Sequence, residues 1–295
     1  MLKIQNLRFQ YKKNTPIIYP LNLNIKPGFT FLVGENGSGK TTLIKLLAGI
    51  LPSTNSIFFN DIPCGTIEYK KALAYLPQDF ELYPSLKVSE ILQFVAGLRG
   101  IDKNFRHNDI IDVASKTNIL DCMEEKYKTC SGGIKRRIGI ACSLLGNPDL
   151  VLLDEPTVGI DPKERVQLYH TLQSCFTDKV VIVSTHILED VNVLADNVIM
   201  LHEGKLVYYG EYQKFKNVLS GKIYTTNISI SNLKAQFPNV ILLTIQPNNN
   251  YVRVYSEKPL PVEYFNLTEA TNEDIWMYYQ NCIGDVSGGS MVYQD

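Results

Sequence analysis

Gly34-Glu35-Asn36-Gly37-Ser38-Gly39-Lys40-Thr41-Thr42 follows the apolar run Phe29-Thr30-Phe31-Leu32-Val33. Three glycines in so short a stretch weaken any strand or helix, so residues 34–42 read as a loop between a buried strand and whatever follows. The spacing is G-x-x-x-x-G-K-T, with Gly34, Gly39, Lys40 and Thr41 at the defining positions. Bare backbone of this kind curls so that successive N–H groups converge on one anion. The helix expected over residues 40–49 aims its positive dipole end at the same point. Lys40 can reach β- and γ-phosphates and the Thr41 hydroxyl can ligate Mg²⁺. The whole stretch, Gly34, Glu35, Asn36, Gly37, Ser38, Gly39, Lys40, Thr41 and Thr42, is therefore expected to bind the phosphates of a nucleoside triphosphate.

The chain has 295 residues, room for one large domain or two smaller ones. Lysine plus arginine number 29 against 30 aspartate plus glutamate, with a pI near 6.4. That balance gives no basic stripe for a nucleic-acid partner. No apolar run approaches the length of a membrane span, and the start, MLKIQNLRFQ, alternates like a strand and lacks a signal-peptide core. The six cysteines are scattered without C-x-x-C pairs, which fits small buried side chains in a reducing compartment better than a disulfide or zinc framework. The expected location is cytoplasmic.

Around the loop, residues 2–5 and 21–25 alternate as strands, and residues 56–59 before Asn60-Asp61 read as a strand and turn. From 85 to about 145 the pattern is helical, with Ser89 as an expected N-cap. Leu150-Val151-Leu152-Leu153 and Val180-Val181-Ile182-Val183 are short, uniformly apolar and end in polar residues, as strands of a doubly covered parallel sheet do. Residues 197–201 and 205–209 predict a hairpin. Beyond residue 216 the texture changes: a second hairpin is expected around residues 247–250, a helix opening with the capping-box pattern Thr271-Asn272-Glu273-Asp274, and a flexible tail over about the last ten residues. This divides the chain into a unit over 1–215, with a helical subdomain near 85–145, and a small α+β unit over 216–295.

Two further motifs narrow the class. Leu150–Leu153 runs into Asp154-Glu155-Pro156: an apolar strand ending in Asp can hold the Mg²⁺ shell, and Glu155 beside it can polarise an attacking water. Cys130-Ser131-Gly132-Gly133-Ile134-Lys135-Arg136-Arg137 opens a helical run with a serine cap and two glycines, a second anion site at a helix start. One chain needs two such sites when two chains share each nucleotide.

With these motifs in order, the sequence resembles the ATP-binding subunit of an ATP-binding-cassette (ABC) transporter, whose signature is L-S-G-G-Q. The resemblance covers residues 1 to about 215. It implies an α/β P-loop NTPase fold with an antiparallel β subdomain, a helical subdomain and a small C-terminal α+β domain. It implies that Tyr11 stacks on adenine, Gln78 in Tyr75-Leu76-Pro77-Gln78 senses Mg²⁺ and the membrane partner, Gly159-Ile160-Asp161-Pro162 forms the D-loop, and His186 in Ser184-Thr185-His186 steadies the γ-phosphate. The catalytic set implied is Glu155 as base with His186, Lys40 and Gln78; the metal set is Thr41, Gln78 and Asp154; the cofactors are ATP and Mg²⁺.

The resemblance further implies a head-to-tail dimer, with a second copy or a paralogue, in which each ATP lies between residues 34–42 of one chain and Ser131-Gly132-Gly133 of the other. A separate transmembrane permease would hold the subunit peripherally at the inner face of the membrane. Tyr75–Gln78, Ile134–Arg137 and Asn272–Tyr279 are similar to the ABC-2 exporter branch. The alternatives are an importer ATPase, a soluble ABC ATPase acting on ribosomes or DNA, and a non-catalytic nucleotide switch, against which Glu155 and His186 both argue. Two positions depart from the signature: Cys130 stands for its leucine and Ile134 for its glutamine. A second Ser-Gly-Gly, at residues 287–289, lies in the tail with no basic helix after it.

Overall fold

The computed structural model describes residues 1–13, 15–53, 55–246 and 251–284. Its centre is a six-stranded sheet made of the apolar runs: β3 (Gly28–Val33), β6 (Leu73–Leu76), β7 (Leu150–Asp154), β8 (Val180–Thr185), β9 (Asn197–His202) and β10 (Lys205–Glu211), in the order β10-β9-β3-β8-β7-β6. All neighbours are parallel except the β9–β10 hairpin.

Strand alternation explains why these runs are apolar throughout. Phe29, Phe31, Val33, Val151, Leu153, Val181, Val183, Val198 and Met200 point into one core. Leu32, Leu150, Leu152, Val180, Ile182, Ile199 and Leu201 point into a second core on the opposite face. Each fully buried side chain of this kind contributes about 1.5–3 kcal/mol.

The second core is closed by α1 (Lys40–Leu47), α2 (Ile67–Ala72) and an antiparallel sheet, order β2-β1-β4-β5, from β1 (Leu2–Lys12), β2 (Thr15–Ile25), β4 (Ile57–Phe59) and β5 (Ile62–Pro63). Leu2 pairs with Ile25 and Ile4 with Leu23. β1 and β2 run longer than the alternation at residues 2–5 and 21–25 predicts. Past Ile4 the register shifts repeatedly and Asn6 takes a left-handed φ of 46°, its N–H satisfied by Asn22 Oδ1 at 2.7 Å. That break in period hides the outer halves of both strands.

The first core is covered by α3 (Val88–Leu98), α4 (Lys103–Lys116), α5 (Gly132–Leu144) and α6 (Pro162–Cys175). Ser89 does not cap α3. The helix begins at Val88, and Glu90 Oε2 accepts the Lys87 backbone N–H at 2.8 Å. A carboxylate reaching back to that donor suffices there, which leaves Ser89 inside the first turn. α6 is capped by Asp161, whose Oδ1 accepts from the backbone N–H of Lys163 and of Glu164, with Pro162 opening the helix.

After α7 (Leu188–Leu194) and α8 (Tyr212–Asn217), the chain forms an antiparallel sheet, order β12-β13-β11-β14, from β11 (Ile223–Thr226), β12 (Ile241–Gln246), β13 (Tyr251–Tyr255) and β14 (Asn266–Thr268), with α9 (Ile230–Gln236) between β11 and β12. Tyr224, Leu233, Val252, Val254 and Phe265 make its own small core. The closing helix α10 (Asn272–Gly284) sends Ile275 and Tyr279 into the first core. There Tyr279 stacks on Phe215 at 5.1 Å between ring centroids. Residues 215 and 216, where the change of texture falls, lie within α8. The turn at 247–250, the tail and the Ser-Gly-Gly at 287–289 lie outside the described residues.

Among the described residues no helix is long and apolar enough to cross a membrane, and Cys64, Cys122, Cys130, Cys142 and Cys175 are free thiols.

Candidate active site

The carboxyl ends of β3, β7 and β8 lie side by side, where open α/β sheets bind their ligands. Each delivers one motif. β3 opens into residues 34–42, β7 ends at Asp154, and β8 runs into Thr185-His186.

In the loop, Gly39 has φ 102°, a backbone conformation in which any side chain is strained. Gly39 also caps α1 without a side-chain bond. The first-turn N–H groups of α1 are therefore open to an anion. Lys40 is 5% exposed, and its Nζ donates to the carbonyls of Gly34 at 2.7 Å and Glu35 at 2.9 Å. Burial lowers its ammonium below the ordinary lysine range, opposed by the charges of Glu155, Asp154 and Glu35.

Asp154 is 1% exposed. Its Oδ1 accepts from Ser184 Oγ at 2.5 Å and from Thr41 Oγ1 at 3.4 Å, while Oδ2 is buried with no partner. Burial pushes its carboxyl above the usual carboxylate range, partly offset by the bonds from Ser184 and Thr41. A buried carboxylate oxygen without a donor, beside a threonine hydroxyl, fits a hydrated Mg²⁺.

Glu155 follows with a left-handed φ of 46°, a strained conformation for a residue with a side chain. Its backbone N–H is held by Ser184 Oγ at 2.9 Å. Its two carboxylate oxygens are bracketed: Gln78 Nε2 donates to Oε2 at 3.1 Å, and His186 Nδ1 lies 3.3 Å from Oε1. Three motifs separated in sequence thus meet on one carboxylate.

Tyr11 is 59% exposed, its ring edge-on to Phe9 and its hydroxyl 3.4 Å from Thr42 Oγ1. An open aromatic face over the end of the loop is what base stacking needs. Glu35 turns its side chain away from the loop's interior, toward α10, so only its backbone is available to phosphate.

Ser131, Gly132 and Gly133 stand apart. Among the described residues no hydrogen bond or ion pair joins them to residues 34–42. Ser131 Oγ caps α5 by accepting the Ile134 N–H at 3.3 Å, Gly132 faces open space, and Gly133 sits against the Glu164 carboxylate. Cys130 is buried in the first core, and Ile134 packs partly buried against it. α5 reaches the Gln78 segment through Arg136, whose guanidinium donates to the Gln78 carbonyl at 3.3 Å and stacks over Phe80.

Sequence reasoning missed two contributors. Ser184 holds both Asp154 and the Glu155 backbone, and only its place two residues before His186 hints at it. Asp190 is 1% exposed and accepts from Thr157 Oγ1 at 2.8 Å and Thr185 Oγ1 at 3.1 Å, tying the turn after Glu155 to the strand end before His186. Nothing in the sequence sets this aspartate apart from a surface helical one.

Residues 18–158 match the family model described as ABC transporter. The chain is 34% identical over 221 residues to the lantibiotic transport ATP-binding protein SrtF of Streptococcus pyogenes, covering 74% of this chain and 94% of that one. It is 32% identical to the linearmycin resistance ATP-binding protein LnrL of Bacillus subtilis, covering 71% and 69%. Among solved structures, CbiO1 of Clostridium perfringens, part of the cbiONQ ABC transporter complex, superposes with a TM-score of 0.66 at 25% identity, covering 80% of this chain and 95% of that one.

Proposed function

The chain belongs to the ABC transporter family as one of its ATP-binding proteins, an ATPase, and we propose that it powers transport, in the export direction, through a separate membrane permease. Residues 1–215 form the ATPase unit in this reading and 216–295 an accessory unit, and the subunit sits at the cytoplasmic face of the membrane through its permease. The relatives named for lantibiotic transport and linearmycin resistance support export.

The observation that carries the reading is the Glu155 carboxylate bracketed by Gln78 and His186 beside the unpartnered oxygen of Asp154. Residues 34–42 and the α1 N-terminus hold the phosphates, with Lys40 exchanging its carbonyl bonds for phosphate oxygens. Tyr11 stacks on adenine. Thr41, Asp154 and Gln78 would hold Mg²⁺, which would supply charge neutralisation at the phosphates. Gln78 and His186 orient Glu155, which takes the proton of the attacking water. His186, 39% exposed at the side chain, also faces the γ-phosphate.

Ser131, Gly132 and Gly133, remote from the loop within one chain, complete the site of a second copy, so each nucleotide is held between two chains. Loss of the γ-phosphate removes the group that bridges them, and the pair opens. Phosphate release from MgATP tests the catalytic part. The wild-type chain should turn over, and Lys40→Ala should lose both nucleotide binding and turnover; turnover surviving in Lys40→Ala would overturn the assignment.

A further inference from the structure

We propose that α10 is a clamp on the phosphate loop, with Trp276 and Gln280 as positioning residues that act through Glu35; the inference rests on the nucleotide reading of residues 34–42. Gln280 Nε2 donates to Glu35 Oε1 at 2.5 Å, and Trp276 Nε1 donates to the same oxygen at 3.4 Å. Two donors one helical turn apart thus converge on one carboxylate oxygen in the middle of the phosphate motif.

The helix that carries them is fixed on two other sides. At its start, Asp274 is fully buried and bonded to Arg253 through Nε and Nη2. On its inner face, Ile275 and Tyr279 lie in the first core. Residues 276 and 280 are the adjoining stripe, so the core contacts of 275 and 279 set where the two donors stand. α10, the loop and the His186 segment together wall an open pocket of about 500 Å³, lined among others by Gly34, Asn36, His186, Glu189 and Glu273.

Glu35 is held at both ends. Its backbone carbonyl accepts from Lys40 Nζ at 2.9 Å and from the Ser38 N–H at 3.1 Å, and its side chain is held by α10. Lys40 has three donors and uses two on loop carbonyls. When a phosphate draws the ammonium inward, the Glu35 carbonyl keeps only the Ser38 N–H, and the α10 contacts help keep this part of the loop in its cradle shape. The clamp therefore favours nucleotide binding by holding the loop ready. By linkage, nucleotide changes the environment of α10 in return.

Trp276 is the chain's single tryptophan, so its emission reports the clamp without any added label. In the unaltered chain, titration with MgATP should give a saturable change in tryptophan emission, with the midpoint found by calorimetry. Gln280→Glu sets two carboxylates against each other and should raise the KM for ATP about tenfold, with kcat within about twofold. Glu35→Gln combined with Gln280→Glu reverses donor and acceptor, leaves an amide oxygen for Trp276, and should return KM to near the wild-type value. Constant emission at saturating nucleotide, a wild-type KM in Gln280→Glu, or no recovery in the swapped pair would each overturn the clamp. Lys40→Ala separates the two layers. If it abolishes binding while Gln280→Glu leaves KM unchanged, the clamp alone is wrong; if it binds nucleotide normally, the phosphate-loop reading is wrong and the clamp falls with it.

Discussion

Replacing Asp274 by alanine should be the most damaging single change in the C-terminal third of the chain. The carboxylate is fully buried, and Arg253 opposite it is 8% exposed. Arg253 donates to it three times, from Nε at 2.9 and 3.1 Å and from Nη2 at 2.7 Å. Thr271 adds its backbone N–H and its hydroxyl, each at 2.8 Å, as the capping box of α10. Removing one partner of a buried ion pair costs about 3–5 kcal/mol, because the other charge stays buried without compensation. Loss of the cap contributes about 1 kcal/mol. Arg253 keeps one acceptor, the Glu269 carbonyl at 2.7 Å, which places the expected total near 4 kcal/mol, a large part of the ~5–15 kcal/mol that holds a domain. Urea unfolding of wild type and Asp274→Ala measures it. Adding Arg253→Met to Asp274→Ala should recover a substantial part, since the stranded charge is gone. A loss below about 1 kcal/mol in the single variant would refute the reasoning.

Tyr11→Ala should weaken ATP binding by about 1–3 kcal/mol, the worth of one stacking face on a nucleobase, and leave the melting temperature alone because the ring is 59% exposed; unchanged affinity by titration would remove Tyr11 from the adenine site. Ile134→Gln restores the amide of the family signature at the start of α5 and should leave ATP-dependent association equal or tighter in a hydrolysis-deficient background. Clear weakening by sedimentation would mean that the contact of Ile134 with the first core matters more than the missing amide.

The central sheet was legible because both its faces are buried. Leu150–Leu153 and Val180–Val183 carry no polar residue to blur the pattern, and the alternating assignment of their side chains to two cores is what an all-apolar strand encodes. The phosphate loop was legible for a different reason: a glycine such as Gly39, at φ 102°, holds a backbone conformation that strains any side chain. Ser131 as a cap was legible from local chemistry, and so was the Thr271–Asp274 box. Ser89 misled because two caps compete at that helix start, and Glu90 reaching back to Lys87 wins. The outer half of β1 was lost to its bulges. Contacts that depend on tertiary placement left no local trace. Glu35 is joined to Gln280 across most of the chain length, and Asp190 is selected only by where Thr157 and Thr185 arrive. The left-handed Glu155, whose strain is held by Ser184, is likewise a product of the assembled sheet.

Glu155→Gln tests the account most directly. The amide keeps the shape of the side chain and can still bond Gln78 and His186, but it cannot accept the proton of the attacking water. Phosphate release should fall by about 10²- to 10⁴-fold, while ATP still binds because Lys40, Thr41 and the loop backbone are untouched. In size-exclusion chromatography with Mg²⁺ and ATP, the variant should elute as a stable dimer closed around nucleotide, and adding Lys40→Ala should abolish it. Wild-type phosphate release in Glu155→Gln would contradict the assignment of the base, and loss of release without any nucleotide-dependent dimer would contradict the shared site.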